Sequence, residues 1–545
     1  MNWPLHGAGA ARFERRRIMR KFDYIIVGAG TSGCVLANRL SAKGASVLLI
    51  EAGPPDRDPN IHRPAGLFKL LTGHLTWPLK TVPQAHLNGR ALEFAQGRVL
   101  GGGGSVNGQV FTRGCPEDYD RWANDLGCTG WSFADVLPYF RRSEQNDTLA
   151  GPFHGTDGPQ GISTMSPDPL TRVFIRACQE AGVPFTPDFN GPSQTGAGAF
   201  QTFTWEGRRC STATGYLRPA LSRQNLSLET GRRVLRVIVE KARAVSVDLG
   251  DPVETVEAAR EVILTAGAIG SPRLLMLSGI GPADALLHHG IAPVTDSPGV
   301  GENLQDHLDI DLILAVDTGL GLDKYKAKHR MLWAGLQYLL FGTGPVTSTI
   351  VEGGAFWTVD PTSPTADTQL HFEPASGTEP GSPLVESGAG CMMNGYFVRP
   401  ESRGTVRLPS ADPAAQPLID PNYLAEPKDV EMTIKAVKLM REIGGQPAFA
   451  SVGGSEHFPG VDVRSDAEIA DFIRAHGRTA YHPVGTCRMG SDAEAVVTPT
   501  LKVRGIDGLR VCDSSVMPRL VSSNTNAASI MIGEKAADLI LDDGP

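Results

Sequence analysis

The stretch that decides the fold runs from residue 22 to residue 53 and reads FDYIIVGAGTSGCVLANRLSAKGASVLLIEAG. The apolar residues 24–27 predict a buried strand, residues 34–40 have helical periodicity, and residues 46–50 predict a second buried strand. A strand, a helix and a second strand in this order form a βαβ unit, and a glycine-rich first turn is typical of the version that binds dinucleotides.

The glycines of this stretch have separate expected roles. Gly28, Gly30 and Gly33 form a G-x-G-x-x-G pattern between the first strand and the helix. We expect Gly28 to make the turn, Gly30 to let the backbone approach a pyrophosphate, and Gly33 to let the helix pack on its strand. Glu51 follows the second strand, where it is placed to accept hydrogen bonds from an adenosine ribose. The triplet alone also fits a turn that binds nothing, but the complete unit favours a nucleotide site.

Composition narrows the class of protein. A chain of 545 residues predicts roughly two to four domains, and its 41% hydrophobic residues can form a large core. With 51 basic and 59 acidic residues the net charge is −8, and no long basic block follows the first twenty residues, so nucleic acid is not expected as a partner. The eight cysteines are scattered without a C-x-x-C pair or metal-ligand spacing, which predicts reduced thiols, a cytoplasmic protein and no metal site.

Residues 1–21 are expected to form a flexible amino-terminal arm, and Met19 is an alternative start of the chain. An export signal is the less favoured interpretation of this arginine-rich segment, because the apolar run that follows stops at Gly28. No apolar run reaches the length of about 18 residues that a membrane-spanning helix requires, so no span is expected. Peripheral association with a membrane stays open.

A second glycine-rich segment, GRVLGGGGSVNGQVFTRG, covers residues 97–114. Four successive glycines at 101–104 are not expected to form a helix or a strand, and their backbone N–H groups can face an anion or a flat ring. A flexible linker is the alternative. Apolar residues flank the segment and an amphipathic helix follows it from residue 116, which favours a loop that faces a ligand.

Three segments of the carboxyl-terminal seventy residues contain further candidate residues. His482 precedes a proline, which favours an extended backbone, although most of the thirteen histidines are expected to be surface or hydrogen-bonded residues without a catalytic role. The segment LRVCD predicts a strand that ends in Asp513, near the place where such sheets meet a dinucleotide. A final helix is expected from about Thr525, and Asn524 and Asn526 are either ordinary caps or residues beside a bound anion.

Together these segments resemble the glucose-methanol-choline (GMC) flavoprotein oxidoreductases. The resemblance extends from about Phe22 to Leu541 and is closest to the bacterial choline-dehydrogenase and alcohol-dehydrogenase branch. It is carried by the βαβ unit with Glu51, by the 97–114 loop, and by these further motifs: GAIGSPRLLMLSGIGP (267–282), NLQDHLD (303–309), HPVGT (482–486), DSSVMP (513–518) and NTNAASIMIGEKAADLI (524–540).

The resemblance implies an α/β protein with two domains. A Rossmann-like FAD-binding domain is expected from residues 22–160, 213–313 and 478–545. A discontinuous α+β substrate-binding domain, built on an antiparallel sheet, is expected from residues 161–212 and 314–477.

The resemblance further implies that FAD is bound noncovalently, because Val106 stands where some members carry a histidine joined to the flavin. Gly103 and Gly104 replace serines that are usual in the family, so hydroxyl contacts to the cofactor are not expected there.

The resemblance also implies the roles of individual residues. His482 matches the active-site histidine, and Asn524 matches a second catalytic position that is His or Asn across the family. The residues expected to bind the cofactor are Gly28, Gly30, Thr31, Ser32, Gly33, Glu51, Ala52, Arg98, Leu100, Gly102, Asn107, Gly108, Val110, Val234, Ala266, Asp513, Ser514 and Asn526.

The reaction implied is oxidation of an alcohol to an aldehyde or ketone, with hydride transfer to flavin N5 and His482 as general base. The electron acceptor is a quinone, another carrier or O₂, and a homo-oligomer is compatible with the sequence. Alternatives are choline dehydrogenase proper, for which Glu352 is the candidate carboxylate, and a flavin-containing hydroxynitrile lyase. A nicotinamide-dependent dehydrogenase shares only the first motif, and a noncatalytic flavin-binding protein leaves His482 and Asn524 without a purpose.

Overall fold

The computed structural model describes residues 20–71, 73–317, 319–378, 381–385 and 388–544. The predicted flexible arm and the alternative start at Met19 therefore lie outside the described residues, except for Arg20 and Lys21. Lys21 does not belong to an arm, because it begins the first strand, Lys21–Val27.

The predicted βαβ unit is confirmed. Strand Lys21–Val27 leads into helix Thr31–Ala42, and the second strand is Val47–Glu51. The two strands pair in parallel, with Tyr24 opposite Val47. The second strand is fully buried, as expected for a strand covered on both faces. It ends at Glu51 itself, so this carboxyl group lies at the carboxyl edge of the sheet.

The βαβ unit belongs to a mixed seven-stranded sheet. Its order from one edge is Leu226–Thr230, Val47–Glu51, Lys21–Val27, Glu254–Leu264, Arg243–Leu249 and Val234–Glu240. The first four strands pair in parallel, and the last two pair antiparallel. A seventh strand, Leu509–Val511, pairs in parallel with the end of Glu254–Leu264, and it stops before Asp513 rather than at it.

Helices cover this sheet and bring the two ends of the chain together. Helix Thr31–Ala42 packs against the carboxyl-terminal helix Asn526–Asp542, which also contacts helix Phe133–Ser143. The buried Glu534 carboxylate binds Arg39 at 2.6 Å and Arg142 at 2.8 Å, and thereby joins all three helices. The amino terminus of the last helix is in this way held beside the first glycine-rich turn.

The second sheet is antiparallel and also has seven strands. Its order is Ser455–Phe458, Leu308–Ala315, Gly390–Phe397, Thr368–Glu373, Gly353–Trp357 and Gly196–Ala199, with Arg478–Thr479 paired to Leu308–Ala315. Helix Pro427–Gly444 packs on its central strands, and a separate hydrophobic core lies between them. The predicted α/β class and the antiparallel sheet are confirmed. The boundary predicted between residues 313 and 314 falls inside strand Leu308–Ala315.

The other described helices are Pro59–His62, Leu67–Leu70, Pro116–Asn124, Pro169–Glu180, Arg218–Ala220, Gly267–Leu277, Ala283–His288, Lys328–Phe341, Pro447–Ala450 and Asp466–His476. Short helical turns lie at Pro64–Gly66, Gly102–Ser105, Ala213–Leu217, Asp323–Lys326, Pro345–Thr347 and Ser514–Val516. Short strands lie at Thr76–Trp77, Gln96–Gly97, Glu144–Asn146, Gln160–Thr164, Gln201–Thr202, Thr204–Trp205, Arg208–Arg209, Ile280–Gly281, Thr295–Asp296, Thr405–Arg407 and Leu418–Asp420. In the described part of the chain, no helix is both long and apolar enough to cross a membrane.

Candidate active site

A large cavity lies between the two sheets. Its volume is about 370 Å³, within the usual range for small-molecule sites. Val27 and Glu51 line it from the first sheet, and Asp309, His371 and Asn394 line it from the second. The cavity therefore touches both the predicted nucleotide-binding unit and the antiparallel sheet.

Each of the three glycines of the first motif is required for a different structural reason. Gly28 has φ +106°, and a Cβ there would lie 2.6 Å from the carbonyl oxygen of Thr265. A Cβ on Gly33 would lie 2.0 Å from the carbonyl oxygen of Gly28, so helix and turn pack directly. A Cβ on Gly30 would meet nothing of the protein closer than 3.7 Å. Only Gly30 has no strong packing reason, and it lines the cavity, which fits close approach by a ligand.

The amino terminus of helix Thr31–Ala42 points to the same ligand chemistry. Its N-cap is Gly30, and no side chain caps the first turn within the described residues. The free N–H groups and the helix dipole at such a terminus favour a phosphate. Thr31 and Ser32 line the cavity beside it. The residues present therefore fit the pyrophosphate of a dinucleotide.

Glu51 lines the cavity from the end of strand Val47–Glu51, the neighbour of the strand that precedes the glycine turn. Its carboxylate accepts hydrogen bonds from the backbone N–H groups of Ala29 at 3.0 Å and Gly53 at 2.7 Å. Burial raises the pKa of this carboxyl to about 7, against the effect of those two donors. The side chain is thus fixed in direction at the carboxyl edge of the sheet, the position that a ribose-binding acid requires.

The second glycine-rich segment faces the first one. Contrary to expectation it is partly helical, since Gly102–Ser105 forms one short 3₁₀ turn. Positive φ values of +89° at Gly101 and +54° at Gly102 lead into this turn, and glycine adopts them without strain. The Gly101 N–H donates to the carbonyl of Ala29 at 2.8 Å, and a Cβ on Gly102 would lie 2.7 Å from the Cα of Gly30. The two segments form one continuous backbone wall.

Most residues predicted to bind the cofactor line this cavity. Three do not: Gly33 is packed inside the turn, the Arg98 guanidinium lies 4.8 Å from the Trp77 ring centre, and Leu100 is buried. The predicted residues that line it are Gly28, Gly30, Thr31, Ser32, Glu51, Ala52, Gly102, Asn107, Gly108, Val110, Val234, Ala266, Asp513, Ser514 and Asn526, together with His482 and Asn524.

Asp513 is engaged by the protein itself. One carboxylate oxygen accepts hydrogen bonds from the N–H of Gly267 at 2.9 Å and from the Ser271 hydroxyl at 2.5 Å. The other accepts from the N–H and the hydroxyl of Ser515, at 2.8 Å and 2.5 Å. Its role is to fix the start of helix Gly267–Leu277 and the turn after residue 513 at the cavity wall.

His482 and Asn524, which are 42 positions apart, meet at the other end of the cavity. The amide nitrogen Nδ2 of Asn524 lies 3.1 Å from Nε2 of His482. On its other side, Nδ1 of His482 lies 3.0 Å from Nδ1 of His307, whose Nε2 lies 3.0 Å from the carbonyl oxygen of Val398. The four groups form one chain of hydrogen bonds.

This series of hydrogen bonds determines which ring nitrogen of each histidine carries the proton. A carbonyl oxygen only accepts, so Nε2 of His307 must donate to Val398. Burial lowers the pKa of His307 to about 3, so this ring is neutral and its Nδ1 is an acceptor. Nδ1 of His482 must then be the donor to His307. Burial, assisted by the neighbouring His307 and His371, also lowers the pKa of His482 well below its usual value, so its Nε2 is an unprotonated base that faces Asn524.

The Asn524 amide is oriented by its own partners. Its oxygen Oδ1 accepts hydrogen bonds from the Thr112 hydroxyl and from Nε2 of Gln369, each at 3.1 Å. Gln369 is fixed in turn because its own oxygen accepts from the Tyr396 hydroxyl at 2.7 Å. Nδ2 of Asn524 is consequently left to donate toward His482 and the cavity.

Asp306 holds the backbone of His482. One carboxylate oxygen accepts the His482 N–H at 2.7 Å, and the other accepts the hydroxyls of Tyr423 and Thr479, each at 2.5 Å. Burial raises the pKa of Asp306 to about 6, but three donors satisfy its charged form. Asp306 therefore holds the backbone of His482 in place and thereby positions its imidazole ring.

Sequence reasoning missed several of these residues. His307 and Asp306 lie within the NLQDHLD motif, but the sequence alone does not indicate a role for either residue. On strand Thr368–Glu373, the polar residues Gln369, His371 and Glu373 alternate with buried Leu370 and Phe372. Polar side chains at every second position of a buried strand are a signal that one face of that strand lines a site.

Glu352, the candidate carboxylate for choline, does not line the cavity. Its carboxylate accepts hydrogen bonds from the Ser348 hydroxyl at 2.7 Å, the Asp168 N–H at 2.7 Å and the Thr171 hydroxyl at 2.8 Å. Three partners within the fold occupy the group, so Glu352 links segments of the second sheet and its helix. Val106, by contrast, lines the cavity as its position in the motif requires.

Comparisons with known proteins identify the family. Family models described as GMC oxidoreductase match residues 22–309 and 400–533. An alcohol dehydrogenase [acceptor] of Pseudomonas putida is 42% identical over 531 residues, which cover 95% of this chain and 96% of the relative. An oxygen-dependent choline dehydrogenase of Sinorhizobium medicae is 42% identical over 530 residues, with 96% of both chains covered.

Solved structures have the same fold. Pyridoxine 4-oxidase from Mesorbium loti superimposes with a TM-score of 0.86 at 32% identity, over 95% of this chain and 98% of that chain. A variant of formate oxidase from Aspergillus oryzae, studied for its effect on FAD modification, gives a TM-score of 0.90 at 28% identity, over 96% and 99%. Because the family models match more than half of the chain and relatives 42% identical cover nearly all of it, this chain belongs to the GMC oxidoreductase family.

Proposed function

We propose that this protein oxidises the CH–OH group of an alcohol to an aldehyde or ketone, with noncovalently bound FAD and with His482 as the general base. The observation that carries the proposal is the unprotonated Nε2 of His482, 3.1 Å from the Asn524 amide and in the same cavity as the glycine turn and Glu51. The names of the relatives, an alcohol dehydrogenase and choline dehydrogenases, support an alcohol as the substrate class.

The first sheet and its helices are the part we assign to FAD. Gly30, with the first turn of helix Thr31–Ala42, would hold the pyrophosphate, and Glu51 would accept from the ribose. Gly102 and Asn526 lie beside the same turn, Gly102 against Gly30 and Asn526 as the acceptor of the Thr31 hydroxyl at 2.9 Å, and would also contact the cofactor. When bound, FAD supplies an acceptor for a hydride at N5.

Residues of the protein itself remove the hydroxyl proton of the alcohol and stabilise the charge that remains. An alcohol oxygen that lies on the cavity side of Nε2 of His482 and Nδ2 of Asn524, within hydrogen-bond distance of both, meets one acceptor and one donor. His482 takes the hydroxyl proton, and the Asn524 amide stabilises the negative charge that develops on the oxygen. His307 accepts from Nδ1 of His482 and so holds the ring in the tautomer that leaves Nε2 free. Since the pKa of His482 lies below its usual value, the base form is present at neutral pH.

A flavin-containing hydroxynitrile lyase would use the same histidine without net oxidation, and choline dehydrogenase would need a carboxylate for the quaternary ammonium. Glu352 does not supply that carboxylate, because three groups of the fold occupy it. Asp309 and Glu373 of the second sheet do line the cavity, so choline is kept in the substrate panel beside uncharged alcohols.

The proposal is tested by product analysis. The purified protein is supplied with primary alcohols, secondary alcohols, choline and a cyanohydrin, with oxygen or a quinone as acceptor. The proposal expects an aldehyde or ketone from at least one alcohol, together with reduction of the acceptor. Cyanohydrin cleavage alone, with no product from any alcohol, would instead assign the protein to the lyases.

Replacing Asp306 by alanine is expected to lower kcat/KM by about tenfold or more, which corresponds to about 1.4 kcal/mol. The alanine side chain has no acceptor for the N–H of His482, so the His482 backbone loses its anchor. Steady-state kinetics and the FAD content of the variant measure the effect. Tyr423→Phe is the matched control, since it removes a hydroxyl from the same carboxylate and leaves the bond to His482 intact. Equal losses of activity in both variants would contradict a positioning role.

Denaturing the holoprotein in acid is expected to leave all of the FAD in the supernatant. Val106 lines the cavity at the position where some family members join histidine to the flavin, and a valine side chain has no nucleophilic atom. The absorbance of pellet and supernatant checks this result. A pellet that stays yellow after washing would show a covalent bond formed by another residue.

A further inference from the structure

Helix Lys328–Phe341, with the sequence KHRMLWAGLQYLLF, exposes an unusual amount of apolar surface. Ala334 is its only residue described as buried. Of the fifteen large apolar residues that are exposed in the described part of the chain, seven lie on this helix, with exposed fractions from 41% at Leu336 to 75% at Leu339. The seven are Met331, Leu332, Trp333, Leu336, Leu339, Leu340 and Phe341.

An exposed apolar surface of this size is expected to be covered by a binding partner. A helix on the surface of a globular protein normally turns its apolar stripe to the core and its polar side to water. This helix instead exposes apolar residues over most of its surface, and a helix of fourteen residues with little packing is marginal in water. Contiguous exposed apolar patches of this kind mark contacts with proteins or membranes.

The charge around the helix identifies the partner. Residues 324–351 contain no Asp or Glu, although the whole chain carries a net charge of −8. Lys328 and Arg330 lie in the first turn and form no ion pair with any described residue. The partial positive charge of the helix amino terminus adds to these cations. An apolar surface beside an unneutralised positive end is complementary to an anionic lipid surface.

The length of the helix excludes a transmembrane arrangement. Fourteen residues at 1.5 Å each extend about 21 Å, whereas the hydrocarbon core is about 30 Å thick. A helix of this kind lies in the interface, with its apolar side chains below the headgroups. Trp333, with its apolar ring and its N–H donor, suits that depth.

We propose that helix Lys328–Phe341 docks this protein on the surface of an anionic phospholipid membrane. Its apolar side chains enter the boundary between headgroups and acyl chains, and Lys328 and Arg330 bind lipid phosphates. This property is additional to alcohol oxidation and does not depend on it.

The segments that connect helix Lys328–Phe341 to the rest of the protein also lead to the cavity. The helix continues into the turn Pro345–Thr347, which contacts the turn Pro64–Gly66. Each turn leads directly into a wall of the cavity, the first through Val351 and the second through Leu67 and Leu71. Docking therefore brings an apolar wall of the site toward the lipid, on the side from which a membrane-dissolved alcohol or electron acceptor would arrive.

Sedimentation with vesicles tests the proposal on the purified full chain. We expect binding to vesicles of phosphatidylcholine with phosphatidylglycerol, weaker binding to phosphatidylcholine alone, and a decrease with added salt. The double variants Leu332→Glu/Leu339→Glu and Lys328→Glu/Arg330→Glu should each lower the bound fraction by about tenfold or more.

The control is Leu287→Glu/Val461→Glu, which changes two apolar residues that are 60% and 64% exposed elsewhere and should bind like the parent. All variants should keep their oxidation rate with a water-soluble alcohol, so a folding defect is detected separately. Helix variants that bind like the parent, or a parent that does not bind anionic vesicles, would overturn the proposal. A dimer that Leu332→Glu/Leu339→Glu converts to monomers, without vesicle binding by the parent, would overturn it in favour of a contact between copies.

Discussion

Replacing His482 by alanine is expected to lower kcat/KM for the alcohol by about 10²–10⁴-fold while FAD stays bound. Nε2 of His482 is the unprotonated nitrogen that meets the NH₂ group of Asn524. His371 is also neutral and lines the cavity, but its Nε2 lies on the Oδ1 side of that amide, at 3.4 Å. The loss corresponds to about 2.7–5.5 kcal/mol of transition-state stabilisation. Stopped-flow reduction of the cofactor by the alcohol measures it directly.

The matched control for this variant is His86→Ala, which removes an exposed histidine remote from the cavity lining. It should leave the rate unchanged. His482→Ala also leaves Nδ1 of His307 without its donor, so its thermal unfolding and FAD content must be measured alongside. A rate within twofold of the parent's, in a folded variant with full FAD, would remove His482 from the mechanism.

Gly30→Val is expected to weaken FAD binding strongly and to leave the fold intact. A Cβ at this position meets no protein atom within 3.6 Å, yet it projects into the cavity at the uncapped helix terminus. The valine side chain would occupy the place where the pyrophosphate has to approach the backbone. The FAD content after purification should fall by about tenfold or more, which corresponds to about 1.4 kcal/mol.

Thermal unfolding adds a second readout for Gly30→Val. A ligand present at 1,000 times its Kd stabilises a protein by about 4 kcal/mol, so added FAD should raise the Tm of the parent apoprotein and not that of the variant. Gly335→Ala is the control, because that glycine also has open space around it but lies on a surface helix. A Gly30→Val variant that binds FAD like the parent would contradict the placement of the cofactor.

The βαβ unit could be predicted from sequence because its information is local. Two strands, a helix, three glycines and Glu51 lie within 32 residues, and each is specified by periodicity or by a backbone requirement. The structure places Glu51 at the end of its strand and the glycines in the turn before the helix, as that pattern predicts.

The site around His482 could be predicted only in part. The motifs indicated His482 and Asn524, but not the partners that fix the protonation of the histidine. His307 meets His482 because strand Leu308–Ala315 pairs with Arg478–Thr479, a contact between segments about 170 residues apart. Such pairings depend on the whole sheet, and no local pattern in one sequence specifies them.

The bounds of strands and the form of turns also depend on contacts between distant segments. Strand Leu308–Ala315 crosses the predicted domain limit at residue 313, since its partners in the antiparallel sheet extend it beyond the motif that precedes it. The glycines at 102–104 form a 3₁₀ turn because Gly101 and Gly102 pack against the first glycine turn. Tertiary packing there overrides the low helical propensity of glycine.

Anaerobic mixing of the FAD-loaded protein with the alcohol panel tests the central claim most directly. The account predicts that at least one alcohol bleaches the yellow cofactor in a single turnover, with one aldehyde or ketone formed for each FAD reduced, and that His482→Ala slows this bleaching. A cofactor that stays fully oxidised with every alcohol, while the same preparation cleaves a cyanohydrin, would contradict it.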